Sequence, residues 1–272
     1  MMNDAVLRNK MERLRLDLSR PVRFLLAYSG GVDSSFLLAM LKEVGSDFLA
    51  VTAVSPTMPA SDRNQALQLA QALGVAHRII ESGEMANPLF VKNDADRCFH
   101  CKDDLFTRLL ALAHAEGYDQ VMDGSTADDA SDYRPGMRAK ALHGIHSPLM
   151  AAGLTKGELR LESQRLGLPT WDRPASPCLS SRISYGEPID LAALNMVEEA
   201  EKWFKTQGFP VVRVRKQHLT ARIEVPEAEI TRFIDPDLRL RTIHTLRQLG
   251  FQFVSLDLEG FASGRLNRLV LQ

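Results

Sequence analysis

An α/β fold, in which a doubly wound parallel sheet leads into a smaller C-terminal α+β domain, is what this sequence of 272 residues predicts. Three observations carry the expectation. Short, continuous apolar runs alternate with helix-length stretches through most of the chain, the pattern of parallel strands buried on both faces. A glycine pair sits where the first run turns into the first of those helices. From Tyr185 onward the runs alternate apolar with polar instead, the mark of strands with one solvated face.

Taken in order, "MMNDAVLRNKMERLRLDLSR" reads as an amphipathic helix. "VRFLLAY" is a buried strand, and "SSFLLAMLKEVG" a helix closed by Gly45 as C-cap. "DFLAVTAVS" repeats the strand, and "SDRNQALQLAQALG" repeats the helix, with Ser61 or Asp62 as N-cap. "VAHRIIE" is a third strand, followed by a long excursion, "SGEMANPLFVKNDADR", and the helix "CKDDLFTRLLALAHAEG". "YDQVMDG" is the fourth strand, with a polar loop through "STADDASDYRPGMRA". Thr155 and Glu158 have capping-box spacing and open a helix that runs to Gly167. "IDLAALNMVEEAEKWFKTQG" and "LRLRTIHTLRQLG" are helices of the second domain; "PVVRVRKQ", "ARIEVP" and "FQFVSLDLEG" are its strands. The expected domains are 1–186 and 187–272, joined at "RPASPCLSSRISYG".

Composition narrows the class. Hydrophobic residues make up 45% and charged residues 25%, enough for a sizeable core in a soluble protein. A formal net charge of -1 supplies no global attraction to nucleic acid or to a membrane surface, so neither is expected as a partner. Three cysteines are too few for a disulfide framework, which favours a cytoplasmic protein.

The glycine pair belongs to "SGGVDSS", Ser29 to Ser35. A glycine turn between a parallel strand and a helix presents several backbone N–H groups together with the helix dipole, a site suited to phosphate. Ser29, Ser34 and Ser35 add hydroxyls, and Asp33 and Ser34 are expected on a surface turn. A glycine pair is otherwise just a sharp turn. The loop has neither the spacing and lysine of a Walker loop nor a dinucleotide fingerprint. The full string resembles the pyrophosphate loop of the PP-loop ATP-pyrophosphatase superfamily, whose fold is adenine-nucleotide alpha-hydrolase-like. That resemblance implies adenylation with release of pyrophosphate. Ser29, Gly30, Gly31, Asp33, Ser34 and Ser35 would hold the β and γ phosphates of ATP, with Mg2+ nearby.

The cysteines raise a second question. Cys98 and Cys101 form a C-x-x-C pair in "RCFHCK", and Cys178 stands far downstream in "SPCLSSR". Three thiolates suit a [4Fe–4S] cluster, while zinc (with His100 as a candidate ligand) or a redox dithiol are the alternatives. Lys102 beside Cys101 and Arg182 beyond Cys178 supply positive charge near sulfur. Arg134, Arg182, Arg213 and Arg215 are candidates for recognising carboxylate or phosphate, because a guanidinium fork bonds two oxygens at once. Asp128, Asp129 and Asp132 are candidates to help hold Mg2+, or simply make a turn.

Together "DGSTADDASDYRPGMRA", "AGLTKGELR", "LGLPTWDRPASPCLSSRISYG", "VRVR", "ARIEVP" and "LDLEGFASGRLN" resemble the LarE family over essentially the whole chain. The resemblance implies an ATP-dependent sulfur transferase of nickel-pincer nucleotide synthesis. Its substrate would be a pyridinium mononucleotide whose carboxylates are adenylated and then become thiocarboxylates. Cys178 matches the sulfur-carrying cysteine; Cys98, Cys101 and Cys178 match the branch with a [4Fe–4S] cluster and an external sulfide donor. Glu201 matches a metal or substrate position, and a homo-oligomer is implied. On this reading the three sulfurs share one pocket facing the loop, lined by Lys102 and Arg182. The rival readings are a tRNA thiolase with the same loop, and a non-catalytic zinc or iron–sulfur protein.

Overall fold

The structure, a computed structural model, describes residues 2–131 and 135–262. The chain begins with α1 (Met2–Leu18), β1 (Phe24–Ala27), α2 (Val32–Val44), β2 (Phe48–Val54), α3 (Ala60–Leu73) and β3 (His77–Glu81). Next come α4 (Pro88–Val91), α5 (Arg97–Glu116), β4 (Gln120–Met122), α6 (Pro135–Leu142), α7 (Pro148–Ala151) and α8 (Lys156–Arg165). It closes with α9 (Leu191–Thr206), β5 (Arg213–Gln217), β6 (Thr220–Glu224), α10 (Pro236–Gln248) and β7 (Phe253–Leu256). Two compact units result: Met1–Glu84 with Cys98–Ser176, and Met85–Arg97 with Pro177–Gln272.

In the first unit the strands are all parallel, in the order β3-β2-β1-β4. Successive side chains of a strand point to opposite faces, so a sheet covered on both faces needs apolar residues at every position. On β1, Phe24 and Leu26 enter a core with Leu14, Leu18, Phe36 and Leu41, whereas Leu25 enters another with Phe106, Leu109 and Val121. Each such fully buried side chain contributes roughly 1.5–3 kcal/mol. The sheet is doubly wound, as the alternating runs predict. β3 lies at an edge, and Ile79 is partly exposed there.

Local signals explain two of the helix ends the sequence marks. Gly45 closes α2 at φ 72°, and its neighbourhood returns N–H donors to the last carbonyls. Thr155 and Glu158 form the complete capping box of α8. Two expectations need correcting. Ser61 and Asp62 do not cap α3, whose N-cap is Pro59; the Asp62 carboxylate is bound to Arg173 instead. The stretch after β4 is not wholly loop: α6 starts at Pro135, which has no N–H to leave unpaired in a first turn.

The second unit holds a mixed sheet, β5-β6-β7, with β5 antiparallel to β6 and β7 parallel to it. The parallel pair follows from α10, which carries the chain back across the sheet. α9 buries Leu194, Val197 and Phe204, and Phe204 meets Phe209 edge-on. Residues 85–97 are tied into this unit by Asn93, buried and left-handed at φ 60°. Its amide donates to the carbonyls of Ser184 and Glu187 at 2.8 Å, and its own carbonyl accepts from Gly186.

Candidate functional site

The first unit builds a glycine turn at the C-terminal end of β1, where open parallel sheets bind ligands. Gly30 has φ +74°, and a Cβ there would stand 2.8 Å from the Ala66 methyl, so only glycine fits. Gly31 is the N-cap of α2, and Asp33 lies in the first helical turn. Ser34 and Ser35 are not surface residues: both are buried. The Ser34 hydroxyl lies 3.1 Å from Ser29 Oγ and donates to the Gly31 carbonyl at 3.3 Å, bracing the turn from inside. Ser35 Oγ and the Tyr28 hydroxyl are both buried behind the turn. Burial pushes the Tyr28 phenol up from its ordinary pKa.

Three neighbours of the turn are not among the residues singled out from the sequence, although they lie in stretches that carry the family resemblance. Gly124, just past β4, packs so closely that a Cβ would lie 2.9 Å from Ser34 N. Asp123 fixes that approach: it accepts from Ser125 Oγ at 2.6 Å and Ser147 Oγ at 2.5 Å, and Lys140 donates to Ser147 at 3.0 Å. Arg173 reaches the Gly30 carbonyl at 3.0 Å and Asp62 at 2.6 Å. The acidic loop makes turns. Asp129 accepts from Thr126 and from Lys156, while Asp128 accepts from the Lys156 N–H. Asp132 and Arg134 lie outside the described residues.

α5 starts earlier than the sequence suggests, so Cys98 and Cys101 stand one turn apart at its beginning. Cys98 is exposed and Cys101 half-buried, both as thiols. Lys102 is exposed, with Nζ 5.5 Å from the Phe106 ring centre.

Cys178 belongs to the second unit, exposed at the start of a 3₁₀ turn, Leu179–Arg182. Its carbonyl accepts from Ser181 Oγ at 2.8 Å and from Arg182 Nη1 at 3.0 Å. Arg182, 1% exposed, also forks onto Glu201, both bonds 2.9 Å. Glu201 is thus a buried partner of arginine, and it accepts from the Val214 N–H as well. Arg215 forks onto Glu224 at 3.1 and 2.9 Å and donates to the Ser181 carbonyl at 2.7 Å. Arg213 stands 4.0 Å from Glu201, 5.3 Å from the Phe261 ring centre. Two buried ion pairs therefore frame the Cys178 turn. Among the described residues, no group of three or more His, Cys, Asp or Glu is placed to hold a metal. No helix among them is long and apolar enough to cross a membrane.

Comparison with known proteins adds to this geometry. A family model described as asparagine synthase matches residues 7–163. An uncharacterized protein of Synechocystis sp. is 43% identical over 266 residues, 97% of this chain and 99% of that protein. The pyridinium-3,5-bisthiocarboxylic acid mononucleotide synthase of Lactiplantibacillus plantarum is 36% identical over 265 residues, 97% of this chain and 95% of that protein. A tRNA-specific 2-thiouridylase of Desulforamulus reducens is 25% identical over 200 residues, covering 57% of this chain and 53% of that enzyme.

Proposed function

This chain belongs to the family of the Lactiplantibacillus pyridinium-3,5-bisthiocarboxylic acid mononucleotide synthase, within the PP-loop ATP pyrophosphatases, and on that premise we propose that it is an ATP-dependent sulfur transferase acting on carboxylates of a pyridinium mononucleotide. The observation that carries the reading is the end-to-end match to that synthase; the thiouridylase match covers little more than half of either chain. The product would serve nickel-pincer cofactor synthesis.

In this reading a substrate carboxylate oxygen attacks the α-phosphorus of ATP and pyrophosphate leaves. A sulfur nucleophile then adds to the acyl carbon, and AMP leaves with the former carboxylate oxygen. Adenylation is needed because a carboxylate is otherwise a poor electrophile. The turn from Ser29 to Ser35 binds the departing phosphates through its N–H groups. Asp33, half-buried at the head of α2, supplies the carboxylate that an accompanying Mg2+ would need. Arg134 and Arg213 are proposed to recognise substrate phosphate or carboxylate, with Arg182 and Arg215 holding the Cys178 turn in place.

Cys98, Cys101 and Cys178, exposed or half-exposed thiols, have the donor chemistry of a [4Fe–4S] site, although no three-ligand group is assembled among the described residues. They would hold the cluster, which supplies a coordinated sulfide when bound; Lys102 adds positive charge beside it. A homo-oligomer is part of the proposal. The test is to incubate the anaerobic protein with MgATP, sulfide and the pyridinium dicarboxylate mononucleotide. AMP, pyrophosphate and a product with oxygen replaced by sulfur are expected. ADP and phosphate as main products, or thiolation of tRNA in preference to the nucleotide, would overturn the reading.

A further inference from the structure

Arg173 lies 143 residues from the glycine turn, yet its guanidinium holds the Gly30 carbonyl at 3.0 Å. The same side chain holds Asp62, at the head of α3, at 2.6 Å. Asp62 is itself buried, and Arg173 is largely so. Arg173 in turn is fixed from behind, because Arg160 donates to its carbonyl at 2.6 Å and to that of Trp171 at 2.9 Å. Gly30 is thus gripped from two directions, with the Ala66 backbone and methyl closing off the other.

The consequence lies in the peptide that joins Gly30 to Gly31. A trans peptide is planar, and its C=O and N–H point in opposite directions. Anchoring the Gly30 carbonyl on one side therefore aims the Gly31 N–H to the other. Among the described residues that N–H meets only Ser29 Oγ, at 3.4 Å, longer than the usual roughly 2.7–3.2 Å. It is a donor held in place with its bonding capacity little used. A cation on the carbonyl also polarises the peptide and strengthens the donor at its far end.

We infer that Arg173 is a positioning residue of the adenylation step, which aims the Gly31 N–H at the pyrophosphate moiety of ATP by anchoring the opposite end of the same peptide. The inference rests on the reading of the turn as a pyrophosphate site and adds a residue to it. The geometry needs a fork: one donor for Gly30 and another for Asp62. Lysine, with its single nitrogen at the end of a flexible stem, keeps the charge and loses the two-point grip.

The experiment measures equilibrium binding of magnesium pyrophosphate and, separately, of AMP to the full-length protein, for the wild type, Arg173→Met and Arg173→Lys. Arg173→Met is expected to bind pyrophosphate on the order of tenfold more weakly, with AMP affinity within about twofold. Arg173→Lys should lose most of the same affinity, and it decides alone if the methionine variant does not fold. Equal loss of both ligands marks a merely structural role and overturns the inference, as does unchanged pyrophosphate binding. Full rescue by lysine overturns it too, since charge without the fork would then suffice. A wild type that binds neither ligand overturns the reading of the turn itself, and this inference with it.

Discussion

Arg182 bonds Glu201 on one edge of its guanidinium and the Pro177 and Cys178 carbonyls on the other. Removing one partner of a buried pair leaves an uncompensated charge, which costs roughly 3–5 kcal/mol. Glu201→Ala is therefore expected to lower the unfolding free energy by that much in a urea titration; a loss under about 1 kcal/mol, the worth of a surface pair, would show that the pair is not what secures the Cys178 turn. Asp33 tests the other end of the chemistry. Asp33→Ala should abolish formation of AMP and pyrophosphate while leaving the melting temperature close to wild type, because the side chain is half-buried at a helix start rather than in a core. Retained turnover would remove Asp33 from the site. At this scale the sequence discloses the residues whose signal is local: the glycines, the serines around them and the cysteines. Asp123, Gly124 and Arg173 stay hidden because their partners lie far along the chain, and nothing in "MDG" or "WDR" announces a contact with the turn.

Elements show the same division. α2 is readable at its C-terminus and α8 at its N-terminus, since Gly45 and the Thr155–Glu158 box are written beside the ends they bound. α6 escapes because its start, Pro135, follows a polar stretch that reads as loop, and the start of α5 is missed because the polar excursion through "KNDADR" runs straight into it. Strand pairing produces one environment with a measurable pH dependence. Thr52 on β2 donates its hydroxyl proton to the Tyr28 carbonyl at 2.7 Å, so it accepts from His77 Nε2 on β3 at 2.8 Å. Burial lowers the His77 pKa. The unfolded chain, with an ordinary histidine near about 6.5, therefore binds more protons than the native state between the two values, and stability rises with pH across that window. Stability is expected to fall as pH drops through about 6.5 toward the lowered native value, with no further loss from this group below it. His77→Gln should flatten that part of the profile, measured as denaturation midpoint against pH; an unchanged slope would assign the effect to other groups.

For the molecule as a whole, the doubly wound sheet and the smaller mixed unit are legible because apolar runs and helix periods repeat many times over. The three cysteines are equally visible, but their joint role is a matter of chemistry that thiols alone do not declare. Protein isolated and reconstituted without oxygen is expected to carry about four irons per chain with a broad iron–sulfur absorption band. Serine at Cys98, Cys101 or Cys178 should each remove it; a stable zinc site with no iron after reconstitution would exclude the cluster. One feature of the chain path also governs how the protein is made. Residues 85–97 emerge from the ribosome long before 177–262, yet they belong to the same unit, where the Asn93 amide requires the carbonyls of Ser184 and Glu187. The second unit therefore cannot be completed during synthesis until the residues from Pro177 onward are released, and the segment leading into the C-x-x-C pair waits for its partners until the downstream cysteine has been translated.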